Sequence, residues 1–196
     1  MDVAAVVSLA FVASITPGPN NVMLWASGLN HGVRGTLRHL AGVNLGFTFL
    51  LFVVAIGLGA AFERYPALEL GLKIAGGAYL LYLAHGLFTT VSTGSDAGVV
   101  RPPMTFVQAA LFQWVNPKAW VMGVTATSTG LADDKPIIAA ALALAGLFGL
   151  VNLPCITAWM ASGAFASRFL EDEGRLRRAN QVLGVLLGLT VVLVVT

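Results

Sequence analysis

The sequence predicts an all-α membrane protein of six transmembrane helices, arranged as two inverted three-helix repeats, with the first helix of each repeat broken at proline. Three observations predict it. The 196 residues are 57% hydrophobic and only 10% charged, far from the usual shares of a soluble domain. Six stretches of roughly 20 residues, enough to cross about 30 Å of hydrocarbon as helix, lie between charged or Gly/Pro-rich breaks. Two of them carry helix breakers and polar groups in mid-span: Thr16-Pro17-Gly18-Pro19-Asn20-Asn21 and Gln113-Trp114-Val115-Asn116-Pro117-Lys118. Unpaired backbone in lipid costs several kcal/mol per group, so such breaks persist only where protein or a wet cavity surrounds them.

The first segment covers about 3–28. Its apolar run from Val3 to Ile15 would reach only about 20 Å at 1.5 Å per residue, so the span needs residues beyond the prolines. This favours an embedded break over a surface turn. The second segment, about 39–61, contains no charge and is ended by Glu63, Arg64 and Pro66. The third, about 68–90, opens at Glu69 and holds Lys73, whose stem can snorkel to the interface, and His85, an interfacial or packing residue. Ser92 to Pro103 is the longest polar connection and divides the single transmembrane domain, 1–196, into repeat one, 1–91, and repeat two, 104–196. The fourth segment, about 105–130, carries the second broken motif, and the fifth and sixth cover about 136–163 and 178–196.

Three spans per half oblige two halves of one fold to insert in opposite directions. Glycines recur at matching places: Gly42 and Gly46 against Gly146 and Gly149, and Gly76 against Gly184. Interrupted segments at corresponding positions of inverted halves point to a binding site at the bilayer midplane. Gly42-x-x-x-Gly46 is also a close-packing signal, used either inside the bundle or in a homodimer.

Eleven basic and nine acidic residues give a net charge of +2. The basic residues sit at segment ends and form no patch suited to nucleic acid. Arg34, Arg38, Arg101, Arg168, Arg175, Arg177 and Arg178 fall in alternate connections, with Arg64 and Lys135 on the other side. Positive connections stay inside, which places both termini outside, a five-span arrangement remaining open. Glu171, Asp172 and Glu173 read as a solvated loop, and His31 and His39 as flanks of Arg34 and Arg38 in a cytoplasmic connection. Asp2 precedes the first apolar run without Lys or Arg and without a cleavage pattern, so that segment is expected to be retained. The single cysteine, Cys155, excludes an internal disulfide and a multi-cysteine metal site, and it reads as a packing residue.

The first break has a specific chemistry. Pro17 and Pro19 would release the carbonyls of Ala13 and Ile15, while Asn20 or Asn21 would cap a new helix whose first N–H groups favour anions. Carbonyls for an ammonium group and amides for a carboxylate match a free amino acid. In the second break, Pro117 would free the carbonyl of Gln113, Asn116 adds an amide, and Lys118 brings a positive charge roughly 15 Å from the nearer helix end, beyond snorkelling reach. An ionisable residue at that depth is a candidate site residue, and Lys118 either binds a substrate carboxylate or pairs with the released carbonyls. Asn21 likewise either contacts ligand or satisfies the broken backbone. Trp114, Trp120, Asn44 and Asn152 either line the same cavity or serve helix packing and interhelical hydrogen bonding.

The motifs Ile15-Thr16-Pro17-Gly18-Pro19-Asn20-Asn21, His31-Gly32-x-Arg34, Ala41-Gly42-x-x-Leu45-Gly46-Phe47, Ala75-Gly76-x-Ala78-Tyr79-Leu80 and Phe112-Gln113-x-x-Asn116-x-Lys118 together carry a likeness. Over essentially its full length the chain resembles the LysE/RhtB family of amino-acid exporters. Ala41 to Phe47 and Gly123-Val124-Thr125-Ala126-x-Ser128-Thr129 look most like its cysteine and O-acetylserine exporter group. The resemblance implies a multi-pass protein of the bacterial inner membrane that moves amino acids or close derivatives outward in exchange for protons, without a cofactor. Many members carry an Asp at the place of Phe47, so a coupling scheme through that carboxylate does not carry over.

The substrate site expected from these readings is Thr16, Pro17, Gly18, Pro19, Asn20, Asn21, Gln113, Asn116, Pro117 and Lys118. A divalent metal-ion transporter is the alternative, but none of the nine acidic residues lies deep in a span to ligate a hard cation. A non-transporting scaffold is a further alternative. An intramembrane enzyme is disfavoured, because H-E-x-x-H, G-x-S-x-G and an embedded Asp pair are all missing from the sequence.

Overall fold

The computed structural model describes residues 2–58, 64–90, 102–131, 136–170 and 172–192, apart from the side chains of 66, 68 and 69. The described residues are helical, with no strand among them. Glu63, the connection 92–101, Lys135 and Glu171 lie outside them.

Helix α1, Val3–Ile15, starts at Asp2, whose carboxylate accepts the amides of Ala4 and Ala5 at 3.0 and 3.2 Å. It stops where Pro17 pushes Thr16 into extended backbone (φ −64°, ψ 143°). Gly18 is also extended, and α2, Pro19–Val53, begins with proline at its first position, where the missing N–H costs nothing. The expected segments 3–28 and 39–61 are therefore joined through 29–38 by two helical stretches that meet at a kink rather than by an extended loop. The bend falls at Gly32, with φ at +67° and ψ at 179°, a conformation open to glycine alone. A single π-helical turn, Val54–Leu58, extends α2.

Helix α3, Pro66–Phe88, is followed beyond the connection by α4, Phe106–Val115, opened by a reciprocal Thr105–Gln108 capping box. Asn116 leaves the helical region (φ −90°, ψ 104°), and α5, Pro117–Gly130, resumes at once. Helix α6, Ile137–Ala166, ends in a 3-10 turn, Ser167–Phe169, and α7, Glu173–Leu189, is capped by Asp172. The stretches Pro19–Leu58 and Ile137–Phe169 are long and apolar enough to cross a membrane.

Helices α2 and α6 form the centre, lying against each other over most of their length. α4 and α5 pack on α2, α1 packs on α6 and α5, and α3 pairs with α7. One core joins Val6 and Ala10 to Phe47, Leu50, Leu144 and Phe148, and a second joins Val22 and Met23 to Leu80, Phe112, Leu183 and Leu187. The outer surface is apolar: Leu150 is 73% exposed, and Val121, Ile74 and Leu111 are more than half exposed. A continuous apolar exterior around a core holding buried Asn, Gln and His suits lipid as solvent. Gly42 and Gly46 face α4, where a Cβ at Gly46 would lie 2.5 Å from Ala110 Cα.

Candidate functional site at two helix breaks

The carbonyls exposed by the first break have side-chain partners, drawn from four residues. Ala13 O accepts the Thr16 hydroxyl at 3.0 Å, and Ser14 O accepts Asn21 Nδ2 at 2.9 Å. Ile15 O accepts the indole N–H of Trp159, from α6, at 3.0 Å. Thr16 O accepts both Asn21 Nδ2 at 2.7 Å and Lys118 Nζ at 2.8 Å, and Pro17 O accepts Lys118 Nζ at 3.3 Å. Such an accounting is what low-dielectric surroundings demand. It also corrects the expectation that the Ala13 and Ile15 carbonyls stand ready for a ligand. Protein donors hold them instead.

The second break is closed in the same way. Gln113 O, which Pro117 was expected to free, accepts Asn116 N–H at 3.3 Å, and Trp114 O accepts the indole N–H of Trp120 at 2.9 Å. Each break thus has one carbonyl capped by a tryptophan. Trp114 and Trp120 also meet edge to face, with ring centroids 6.1 Å apart.

Two sets of bonds draw the breaks together. Lys118 Nζ donates to Thr16 O, to Thr16 Oγ1 at 3.0 Å and to Pro17 O, which accounts for all three ammonium protons. Asn20 and Gln113 exchange amide bonds, Asn20 Nδ2 to Gln113 Oε1 at 2.8 Å and Gln113 Nε2 to Asn20 Oδ1 at 3.2 Å. The two asparagines therefore do not cap α2. Gly18 is its N-cap residue and supplies no side chain, while Asn20 and Asn21 lie in the first turn and reach across or backward.

Polar valence remains open at four kinds of atom. Val22 N–H returns to Gly18 O at 3.0 Å, so Pro19 aside the first-turn amides of Asn20 and Asn21 have no intrahelical partner. In α5 the amides of Ala119 and Trp120 both go to Asn116 O, at 3.0 and 3.4 Å, and that of Lys118 is left. Asn116 Oδ1 and Ser14 Oγ are buried without a partner among the described residues. These atoms border a cavity of about 30 Å³ lined by Ser14, Gly18, Asn20, Asn21, Asn116, Lys118 and Asn152. That volume admits water but not an amino acid. Among the described residues no carboxylate lines it, and Phe47 supplies an apolar wall.

Asn152 borders this cavity and donates to Asn44 Oδ1 at 2.8 Å, tying α6 to α2. Pro117 and Trp120 also face a larger, mainly apolar void of about 320 Å³ beside Leu72 and Lys73. Sequence reasoning missed Ser14, Trp159 and the pair Asn30–Asn180, whose side chains exchange hydrogen bonds at 2.8 and 3.0 Å. It also placed His39 in a cytoplasmic connection, whereas the helix that resumes after the kink at Gly32 buries it to 2% exposure.

No solved structure matches the chain. Curated relatives do: the cysteine/O-acetylserine efflux proteins of Escherichia coli strain K12, Shigella flexneri serotype 5b and Shigella sonnei strain Ss046 are each 31% identical to it over 177 residues, covering 90% of this chain and 88% of each relative. Residues 11–196 match the family described as LysE type translocator, and the chain belongs to that family.

Proposed function

We propose that the protein exports small neutral amino acids or their O-acyl derivatives across the bacterial inner membrane, by alternating access of two inverted three-helix halves around the paired breaks, in exchange for protons. The observation that carries this reading is the clasp of Lys118 on Thr16 and Pro17, across the chain's midpoint, beside a polar cavity that Lys118 lines with Gly18, Asn20 and Asn116. The relatives named for cysteine and O-acetylserine efflux support the substrate class.

The pairing of elements supports the inverted halves. α1 lies on α6 as α4 lies on α2, and α3 pairs with α7, the contacts a two-fold relation in the membrane plane would generate. Six crossings follow if α1 and the first part of α2 form one span, and α4 with α5 another. Both termini then lie outside, as the arginine distribution favours.

Ligand contacts follow from the open valences. The first-turn amides of Asn20 and Asn21 and the ammonium of Lys118 are suited to the substrate carboxylate, and Asn116 Oδ1 with Ser14 Oγ to its ammonium group. A carboxylate must displace at least one of the three acceptors on Lys118, which loosens the join between the halves. Binding thereby becomes coupled to opening. The narrow cavity fits a closed arrangement that must part to admit substrate. Proton exchange rests on the family resemblance.

Reconstituted protein tests the reading. Proteoliposomes loaded with radiolabelled cysteine, O-acetylserine and serine should release label faster than protein-free liposomes, and an imposed proton gradient should drive release against a substrate gradient. Equal release from both preparations over the whole substrate panel would sink the exporter assignment, and indifference to the gradient would remove the proton.

A further inference from the structure

A second polar cavity opens farther along α2. Met23, Ser27 and Asn30 continue the helix face that begins at Asn20, and they line a pocket of about 120 Å³ with His39, Thr90 and Met104. Asn30 is roughly 15 Å along the axis from Asn20. The two cavities are thus served by one face of one helix.

His39 makes this cavity informative. Its side chain is 2% exposed, yet among the described residues neither ring nitrogen has a hydrogen-bond partner. A donor and an acceptor buried idle are unfavourable, so a polar occupant is called for. The other walls say what kind. Thr36 donates to Gly32 O at 2.8 Å, so the 3.0 Å contact between Ser27 and Thr36 uses the Ser27 proton. Thr90 donates to Gly86 O at 2.8 Å. Asn30 Nδ2 serves Ala26 O and Asn180 Oδ1, both at 2.8 Å. Ser27 and Thr90 therefore border the cavity with their protons spent and oxygen lone pairs open, Asn30 Oδ1 keeps one lone pair beside the bond it accepts from Asn180 Nδ2 at 3.0 Å, and the buried His39 ring behind them holds one N–H and one further lone pair. Among the described residues no carboxylate lines the space, and His31, the other titratable group described there, has contacts of its own.

We propose that this cavity is a second station for the exported molecule, holding the ammonium group of a small amino acid on the oxygens of Ser27, Asn30 and Thr90 and its carboxylate or ester carbonyl on the His39 N–H. The assignment rests on the exporter reading above and adds a place where substrate waits next to the breaks. A donor-rich ligand end meets an acceptor-rich wall, and the face shared with Asn20 leads onward to Lys118.

Equilibrium binding and transport of radiolabelled O-acetylserine, with L-serine in parallel, test it on purified and reconstituted full-length protein. Wild type should bind two molecules per chain and His39→Phe, which removes both ring nitrogens at similar shape, one. His39→Asn, which keeps a donor and an acceptor, should bind two. In liposomes His39→Phe should raise the half-saturating concentration roughly tenfold, as for one lost hydrogen bond, with the maximal rate within about twofold. Should His39→Phe fail to fold, Thr90→Val removes one acceptor at nearly constant volume and carries the same two readouts. Transport by a wild type that binds a single molecule, or His39→Phe and Thr90→Val indistinguishable from wild type in both readouts, overturns the second station and leaves the exporter reading intact. A wild type that neither binds nor transports overturns both.

Discussion

Asn20 and Gln113, 93 residues apart, hold each other by two amide hydrogen bonds, at 2.8 and 3.2 Å. Gln113 has one more bond, from Nε2 to Ala109 O at 2.9 Å, and is fully buried. Removing either partner leaves an amide idle in a low-dielectric setting. We expect Asn20→Ala and Gln113→Ala each to lower stability by about 1–2 kcal/mol, and the double variant by clearly less than their sum. Unfolding in detergent measures this, and strict additivity would show that the pair is not coupled.

The clasp of Lys118 depends on a residue with no side chain. A Cβ on Gly18 would come within 2.8 Å of Lys118 Cδ and 3.0 Å of Nζ. Gly18→Ala is therefore expected to displace the ammonium from Thr16 and Pro17, and to slow transport roughly 10- to 100-fold, as Lys118→Gln should by removing the charged bonds. The two changes together should do no more than either alone. Arg at 118 keeps the charge, but its planar fork does not match three acceptors around one nitrogen, so Lys118→Arg should rescue little. Rates in liposomes decide it. Multiplying defects in the double variant would mean that Gly18 acts elsewhere.

Both breaks could be read in the sequence because proline inside a membrane-length apolar run has few physical meanings. Lys118 stood out for the same reason, as did the close approach signalled by Gly42 and Gly46. What occupies the released carbonyls was not legible, since Trp159 lies 144 residues from Ile15 and nothing local announces the bond. Ser14 reads as a small residue in an apolar run until its neighbours are known. His39 was misplaced because arginines at 34 and 38 resemble a loop, whereas Gly32 absorbs the turn alone and lets helix resume beside it. The spacing of Asn20, Ser27 and Asn30 was the available signal for the second cavity.

Asn116 offers a separation of function from stability. Its Oδ1 is buried and idle, so replacement by leucine removes an unsatisfied acceptor and should leave stability unchanged or slightly raised. Substrate affinity should fall roughly tenfold if that oxygen receives the ammonium group. Ser14→Ala should behave alike on a smaller scale. Melting temperature and half-saturating concentration, measured on one preparation, test the split. Unaltered affinity with raised stability would reduce Asn116 to a strained helix end.

Glycines at helix contacts should respond to methyl groups according to what each faces. At Gly46 an added Cβ would meet Ala110 Cα at 2.5 Å and Ala110 Cβ at 3.0 Å, both on a helix that cannot yield locally. At Gly146 it would meet nothing within 4 Å. Gly46→Ala should then cost about 1–3 kcal/mol through overpacking of α2 on α4, whereas Gly146→Ala should be neutral or gain up to about 1 kcal/mol from helix propensity. Because Gly42 and Gly46 are engaged by α4 within one chain, Gly46→Ala should reduce folded yield without changing the proportion of any cross-linked dimer. A selective loss of dimer, with the monomer's melting temperature preserved, would instead place that glycine pair on a surface between two copies.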